Sequence, residues 1–163
     1  MTATAPRYDD QDDVPLGGYA TLATTFCVSA VLVTLVARRR GVRPPAHIPP
    51  QDVALLGTAT FKASRLLAKD KVTSFLRAPF TRRTEDGEGG EVQDEPRGSG
   101  ARRAVGDLVA CPFCVSAWVA GALVASYAVA PRGTRLLCTG LSAVTVADGL
   151  QYAWSWAQRR ADG

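Results

Sequence analysis

The chain has one histidine and three lysines among 163 residues. No second histidine exists to build a His-based metal pair with His47. His47 sits in the Pro-rich stretch GVRPPAHIPP, where it reads as a solvated bystander. The net charge is only +4 and unevenly spread, which argues against nucleic-acid binding. A basic leader is missing too. Residues 1–16 are polar, carry Asp9, Asp10, Asp12 and Asp13, and lack the cationic start of a secretory signal. The four cysteines do not form the framework of a small secreted protein, because two of them fall inside apolar blocks. Sixteen of the nineteen basic residues are Arg, a bias of the kind a high-GC genome leaves.

What the sequence does contain is long uncharged runs. Residues 17–37 form the first, about 31 Å if helical and thus long enough for the hydrocarbon core. It ends at Arg38, Arg39 and Arg40. Residues 38–50 form an Arg- and Pro-rich connector that cannot be helical throughout. Within 51–83, residues 51–69 have the spacing of an amphipathic helix. Leu56, Thr60, Ala63 and Leu67 recur on one face, with Lys62, Arg65 and Lys69 opposite. This helix is expected at the membrane surface or packed on the other helices. Residues 84–103 are Gly-rich and acidic at their core and are expected to be a disordered linker, as are residues 1–16. Residues 108–130 are the second predicted span. Residues 136–157 are the third, broken only by Asp148, and its end carries Tyr152, Trp154 and Trp156 as an interfacial belt. Residues 158–163 are a short tail. The expected fold class is an all-α membrane protein with three transmembrane helices, one cytoplasmic-side amphipathic helix and a disordered linker.

Lys and Arg counts set the expected orientation. Residues 38–107 hold fourteen, the 131–135 turn and the tail hold two each, and residues 1–16 hold one. With three spans, the positive-inside rule puts the N-terminus outside and the C-terminus in the cytoplasm.

Three features could carry chemistry. Cys111-Pro112-Phe113-Cys114 is the sharpest. Pro112 suits a first helical position, so both thiols would lie near a helix N-terminus, which favours thiolate. The pair reads as thiol redox, as half of a metal site, or as two small residues at a helix contact. Cys138 would lie roughly 25 Å away along the membrane normal, so a metal would need a second chain's pair. Asp148 is costly inside a span and is expected to face the protein interior, with Ser116 at similar depth as a hydrogen-bond partner. It reads as interhelical glue or, less simply, as a relay group. Finally, Lys62, Arg65, Lys69, Lys71, Arg77, Arg82 and Arg83 form a basic stretch. It could bind anionic headgroups or a membrane protein partner, or be a solvated face that merely obeys the charge rule.

Residues 59–82 (ATFKASRLLAKDKVTSFLRAPFTR) and 106–120 (GDLVACPFCVSAWVA) resemble a bacterial family catalogued as domain of unknown function 1360. The matching elements are the run from Lys62 to Thr73, Arg77 to Phe80, and the Cys111/Cys114 pair with Trp118. Asp107 stands where the family usually has Glu, and Phe113 where Trp is frequent. The resemblance implies a small integral protein of the bacterial cytoplasmic membrane and brings no catalytic role. The expected function is a non-catalytic interaction protein of the lipid bilayer, with no cofactor and with homo-oligomerisation open. Enzyme activity is not indicated by any motif. The alternatives are a thiol redox or metal-binding protein at Cys111 and Cys114, and a transporter subunit using Asp148.

Overall fold

The computed structural model describes residues 14–161, and the tips of both ends lie outside that range. The elements run α1 (Leu16–Arg39), α2 (Pro50–Lys69), α3 (Ser74–Arg77), β1 (Thr81–Asp86), β2 (Val92–Pro96), α4 (Gly100–Ala110), α5 (Pro112–Val129) and α6 (Pro131–Ala161), with a 3-10 turn at Glu88–Gly90. The fold is mostly helical and divides into two compact units.

The first unit contains the start of α1 to Thr34 and the chain from Leu66 to Val115. Its hairpin departs from the disordered linker expected at 84–103. β1 and β2 pair antiparallel, with Arg82 opposite Glu95 and Arg83 opposite Asp94, and the register shifts between Arg83 and Glu85. Two effects offset the low apolar content. Opposite charges face each other across the ladder, Arg82 lying 3.2 Å from Glu95. The turn has Gly89 at φ 64° and Gly90 at φ 83°, a left-handed path that glycine adopts without strain. Val92 is fully buried beneath it. α4 packs so closely here that a Cβ on Gly106 would lie 2.7 Å from the Phe80 carbonyl oxygen. A Cβ on Gly18 of α1 would lie 2.6 Å from that of Ala104. Tyr19 Oη donates to Asp107 Oδ2 at 2.9 Å, so the beginning of α1 rests on α4.

The predicted span at 108–130 is interrupted in the structure. Cys111 has an extended backbone (φ −106°, ψ 111°) that ends α4, and α5 starts at Pro112. A residue before proline is pushed out of the helical region, which places the break.

The second unit contains residues 35–65 and 116–163. α5 and α6 are separated by Ala130 alone, because Pro131 opens α6 where a longer 131–135 turn was expected. Leu56 and Ala59 of α2 pack with Leu123 and Tyr127 of α5 and Cys138 of α6, flanked by Ile48, Leu55, Val119 and Leu141. The helical hydroxyls are tucked away. Thr58, Thr60, Thr139 and Thr145 each donate to a carbonyl one turn back in their own helix. The same bonds quiet Thr21, Thr25 and Thr34 in α1.

Candidate functional site

The second unit holds a charged cluster that the sequence reading passed over. Asp52 lies in the first turn of α2, and Arg135 is the fifth residue of α6. Arg135 Nε donates to both Asp52 carboxylate oxygens at 3.0 Å, and Nη2 reaches Oδ2 at 2.5 Å. Tyr127 Oη also donates to Asp52 and accepts from Arg135 Nη2 at 3.0 Å. Asp52 is buried, so a carboxylate is held there by one fork-shaped cation and one phenol. In the sequence Asp52 is no more than a carboxylate near the start of the 51–69 helix. Its partners stand 75 and 83 positions away.

Ten residues further along α2, Lys62 Nζ lies 2.6 Å from Asp148 Oδ2 of α6. Lys62 was expected on an exposed basic face, yet its side chain is only 13% exposed. A long ammonium stem can cross apolar surface to reach a carboxylate, and pairing relieves both charges in an apolar setting. Asp148 therefore faces a protein partner, but that partner is Lys62, where Ser116 was expected. Ser116 lies half-buried in α5. The two ion pairs fix α2 alongside α6, both helices running the same way.

In the first unit Arg77 was also expected on the exposed basic stretch. It is instead 1% exposed. Its Nε donates to Asp94 at 2.7 Å, Nη1 to the Leu67 carbonyl at 2.8 Å and to Thr73 Oγ1 at 2.9 Å, and Nη2 to the Asp70 carbonyl at 3.1 Å. This guanidinium ties the end of α2 to the turn after it and to β2. The other basic candidates stay nearer the surface. Arg65 lies over the Phe61 ring, Lys69 donates to Gln93, Lys71 lies 3.7 Å from Asp86, Arg82 pairs with Glu95 and Arg83 with Asp86.

Two of the three thiols of the first unit, Cys111 and Cys114, sit at the α4–α5 break. The Cys114 amide donates to Cys111 Sγ at 3.3 Å. Cys111 is half-buried, Cys114 exposed, Cys27 exposed in α1 and Cys138 buried, all four unbridged. Burial disfavours a Cys111 thiolate. Hydrogen bonds from the Cys114 thiol and from the Cys114 and Phe113 amides, with Lys69 nearby, outweigh it and hold the Cys111 pKa below the ordinary thiol value. Among the described residues, no group of three or more His, Cys, Asp or Glu side chains surrounds a common point.

These features define a class before they define a family: a mostly helical protein with two helices, α1 and α5, long and apolar enough to cross a membrane. The apolar stretch of α1 is not buried in the protein, unlike the core helix of a soluble fold. The family model described as "Protein of unknown function (DUF1360)" matches residues 55–154, and the chain belongs to that family. It is also 34% identical over 88 residues to Sporulation protein YjcA of Bacillus subtilis (strain 168), across 52% of this chain and 75% of that protein. No solved structure matches.

Proposed function

We propose that the chain is a non-catalytic membrane protein that crosses the bilayer four times, with α1, α2, α5 and α6. On this reading it presents its β-hairpin to a protein partner at the cytoplasmic face, in a membrane process akin to sporulation. One observation carries the four crossings: the start of α1 rests on α4, immediately before α5 begins. Two helices that leave from the same side need a return between them. α2, with 20 residues or about 30 Å, is the helix of sufficient length in that interval. Its Asp52 and Lys62 are both paired internally, which lowers the cost of placing them at membrane depth. The three-span expectation left α2 at the membrane surface or packed on the other helices, because its uncharged stretch from Val53 to Phe61 is too short to span.

With four crossings, the residues preceding α1, the hairpin and the end of α6 share one side. Eight Lys and Arg residues from Lys69 to Arg103, with Arg159 and Arg160, lie there. Arg38, Arg39, Arg40, Arg43, Arg132 and Arg135 lie opposite. The excess assigns the hairpin side to the cytoplasm and moves the residues before α1 from outside to inside. A protein partner is favoured over anionic lipid, since Lys62 and Arg77 are internal and Lys71, Arg82 and Arg83 each face an acidic side chain. The pairing of Asp148 likewise supports a structural role over ion coupling. The function is tested in a Bacillus subtilis strain lacking the sporulation relative. The full chain is expected to raise spore yield, and a chain with residues 81–96 replaced by a Gly/Ser linker to insert normally without doing so. Equal yields from both chains would overturn the hairpin's role.

A further inference from the structure

Cys111 and Cys114 have no task in a purely scaffolding protein. The fold nonetheless sets them up for one. They are neighbours across the first turn of α5, and the extended Cys111 backbone turns its sulfur back to 3.3 Å from the Cys114 amide. Pro112 between them has a fixed φ and no amide hydrogen, so the intervening backbone is stiff. α4, which carries Cys111 at its end, is anchored by the tight approach of Gly106 to Phe80 and Pro96. Cys114 is exposed and Cys111 half-exposed, so a reagent can reach the pair. A structural pair would be buried, as Cys138 is. A metal would require further ligands, and the described residues bring none to the same point.

We propose that Cys111 and Cys114 are a reversible dithiol–disulfide pair that exchanges two electrons with an external disulfide. The Cys111 thiolate attacks one sulfur of that disulfide, forming a mixed disulfide and releasing the other sulfur as a thiolate. Cys114 gives up its proton and attacks Cys111 Sγ. The Cys111–Cys114 bond forms, the mixed bond breaks, and the second external sulfur leaves. The pair is oxidised, the external disulfide is reduced to two thiols, and the two protons lost by the pair balance those taken up. The external disulfide is a small thiol's or a protein's, and the chemistry is the same for both.

The test uses the full chain in detergent micelles. It is equilibrated separately with reduced and oxidised glutathione and with reduced and oxidised thioredoxin. Thiols are then alkylated and the Cys111–Cys114 peptides weighed. The expected result is an intramolecular bond whose oxidised-to-reduced ratio follows oxidised glutathione divided by the square of reduced glutathione, or the thioredoxin ratio directly, in at least one arm. Cys114→Ser is expected to accumulate the Cys111 mixed disulfide instead. If both thiols stay fully alkylatable in the most oxidising mixtures, or if each only acquires glutathione independently, the proposal is overturned. Exchange in the thioredoxin arm alone assigns a protein source; exchange in the glutathione arm assigns a small thiol.

Discussion

Arg77 stands in the run Ser74-Phe75-Leu76-Arg77-Ala78-Pro79, and its guanidinium donates to Asp94 at 2.7 Å with both side chains almost wholly enclosed. Arg77→Met would leave the Asp94 carboxylate enclosed without its cation, a loss on the order of 3–5 kcal/mol for a broken buried pair. Arg77→Lys keeps the charge but cannot reproduce the fork that reaches Leu67, Thr73 and Asp70 together. Limited proteolysis in micelles checks both. Cleavage within residues 81–96 should rise steeply for Arg77→Met, rise less for Arg77→Lys, and partly recover when Asp94→Asn is added to Arg77→Met. The sequence showed Arg77 as one cation among seven, because burial depends on β2, seventeen residues on. Cys111 was more legible, since Pro112 marked the helix start. Its thiolate is favoured by the Cys114 and Phe113 hydrogen bonds despite burial, so it persists to lower pH than an ordinary thiol does. Iodoacetamide modification of Cys111 should therefore reach half its limiting rate below the usual thiol midpoint. Cys114→Ala removes the thiol donor and should shift that midpoint upward.

At the scale of elements, α2 shows where the pattern reading stopped. Its helical spacing and its end at Lys69 were readable, and its start at Pro50 falls one residue before the expected Gln51. Its neighbours were not, because a Lys on the polar face of an amphipathic helix looks the same whether it meets water, a headgroup or a carboxylate 86 residues away. The hairpin was hidden differently: cross-strand pairing of opposite charges reads in sequence as a polar, Gly-rich linker. The Lys62–Asp148 pair yields a test of α2's placement. Lys62→Met or Asp148→Leu alone strands one charge at an apolar helix contact and should destabilise the protein, by less than a fully buried pair would because the Asp148 side chain is 38% exposed, while the double variant removes both charges and should restore most of that loss. Thermal aggregation of the detergent-solubilised protein reports the cycle. Additive single effects would mean that the two side chains do not meet. Gly18→Leu tests the α1 contact in the same way. Its side chain cannot fit where even a Cβ meets Ala104 at 2.6 Å, so it should expose Tyr19 and Asp107 to modification without altering α2.

For the whole molecule, sidedness follows from counting helices that cross, and the two counts differ at one place. Three crossings put the residues before α1 and the end of α6 on opposite faces; four put them on the same face. Both counts leave the hairpin and the end of α6 together, so a reporter in the hairpin alone cannot separate them. The discriminating sites are the residues before α1 and the connector between Arg39 and Pro50. A thiol introduced at Ala46, in a chain with its own cysteines replaced, should react with a membrane-impermeant maleimide added to intact cells if α2 crosses, because the connector then lies outside. A thiol at Ser99 should react only after the membrane is opened. If the Ala46 position were shielded and a thiol before α1 labelled from outside, α2 would lie on the cytoplasmic surface. The Lys62–Asp148 pair would then have to form at the inner rim of the bilayer, and the cytoplasmic side would regain Arg38, Arg39, Arg40 and Arg43. The charge rule alone cannot choose, since both arrangements keep more cations inside than outside. The choice rests on Gly18 and Tyr19 meeting α4, a contact that only a folded chain reveals.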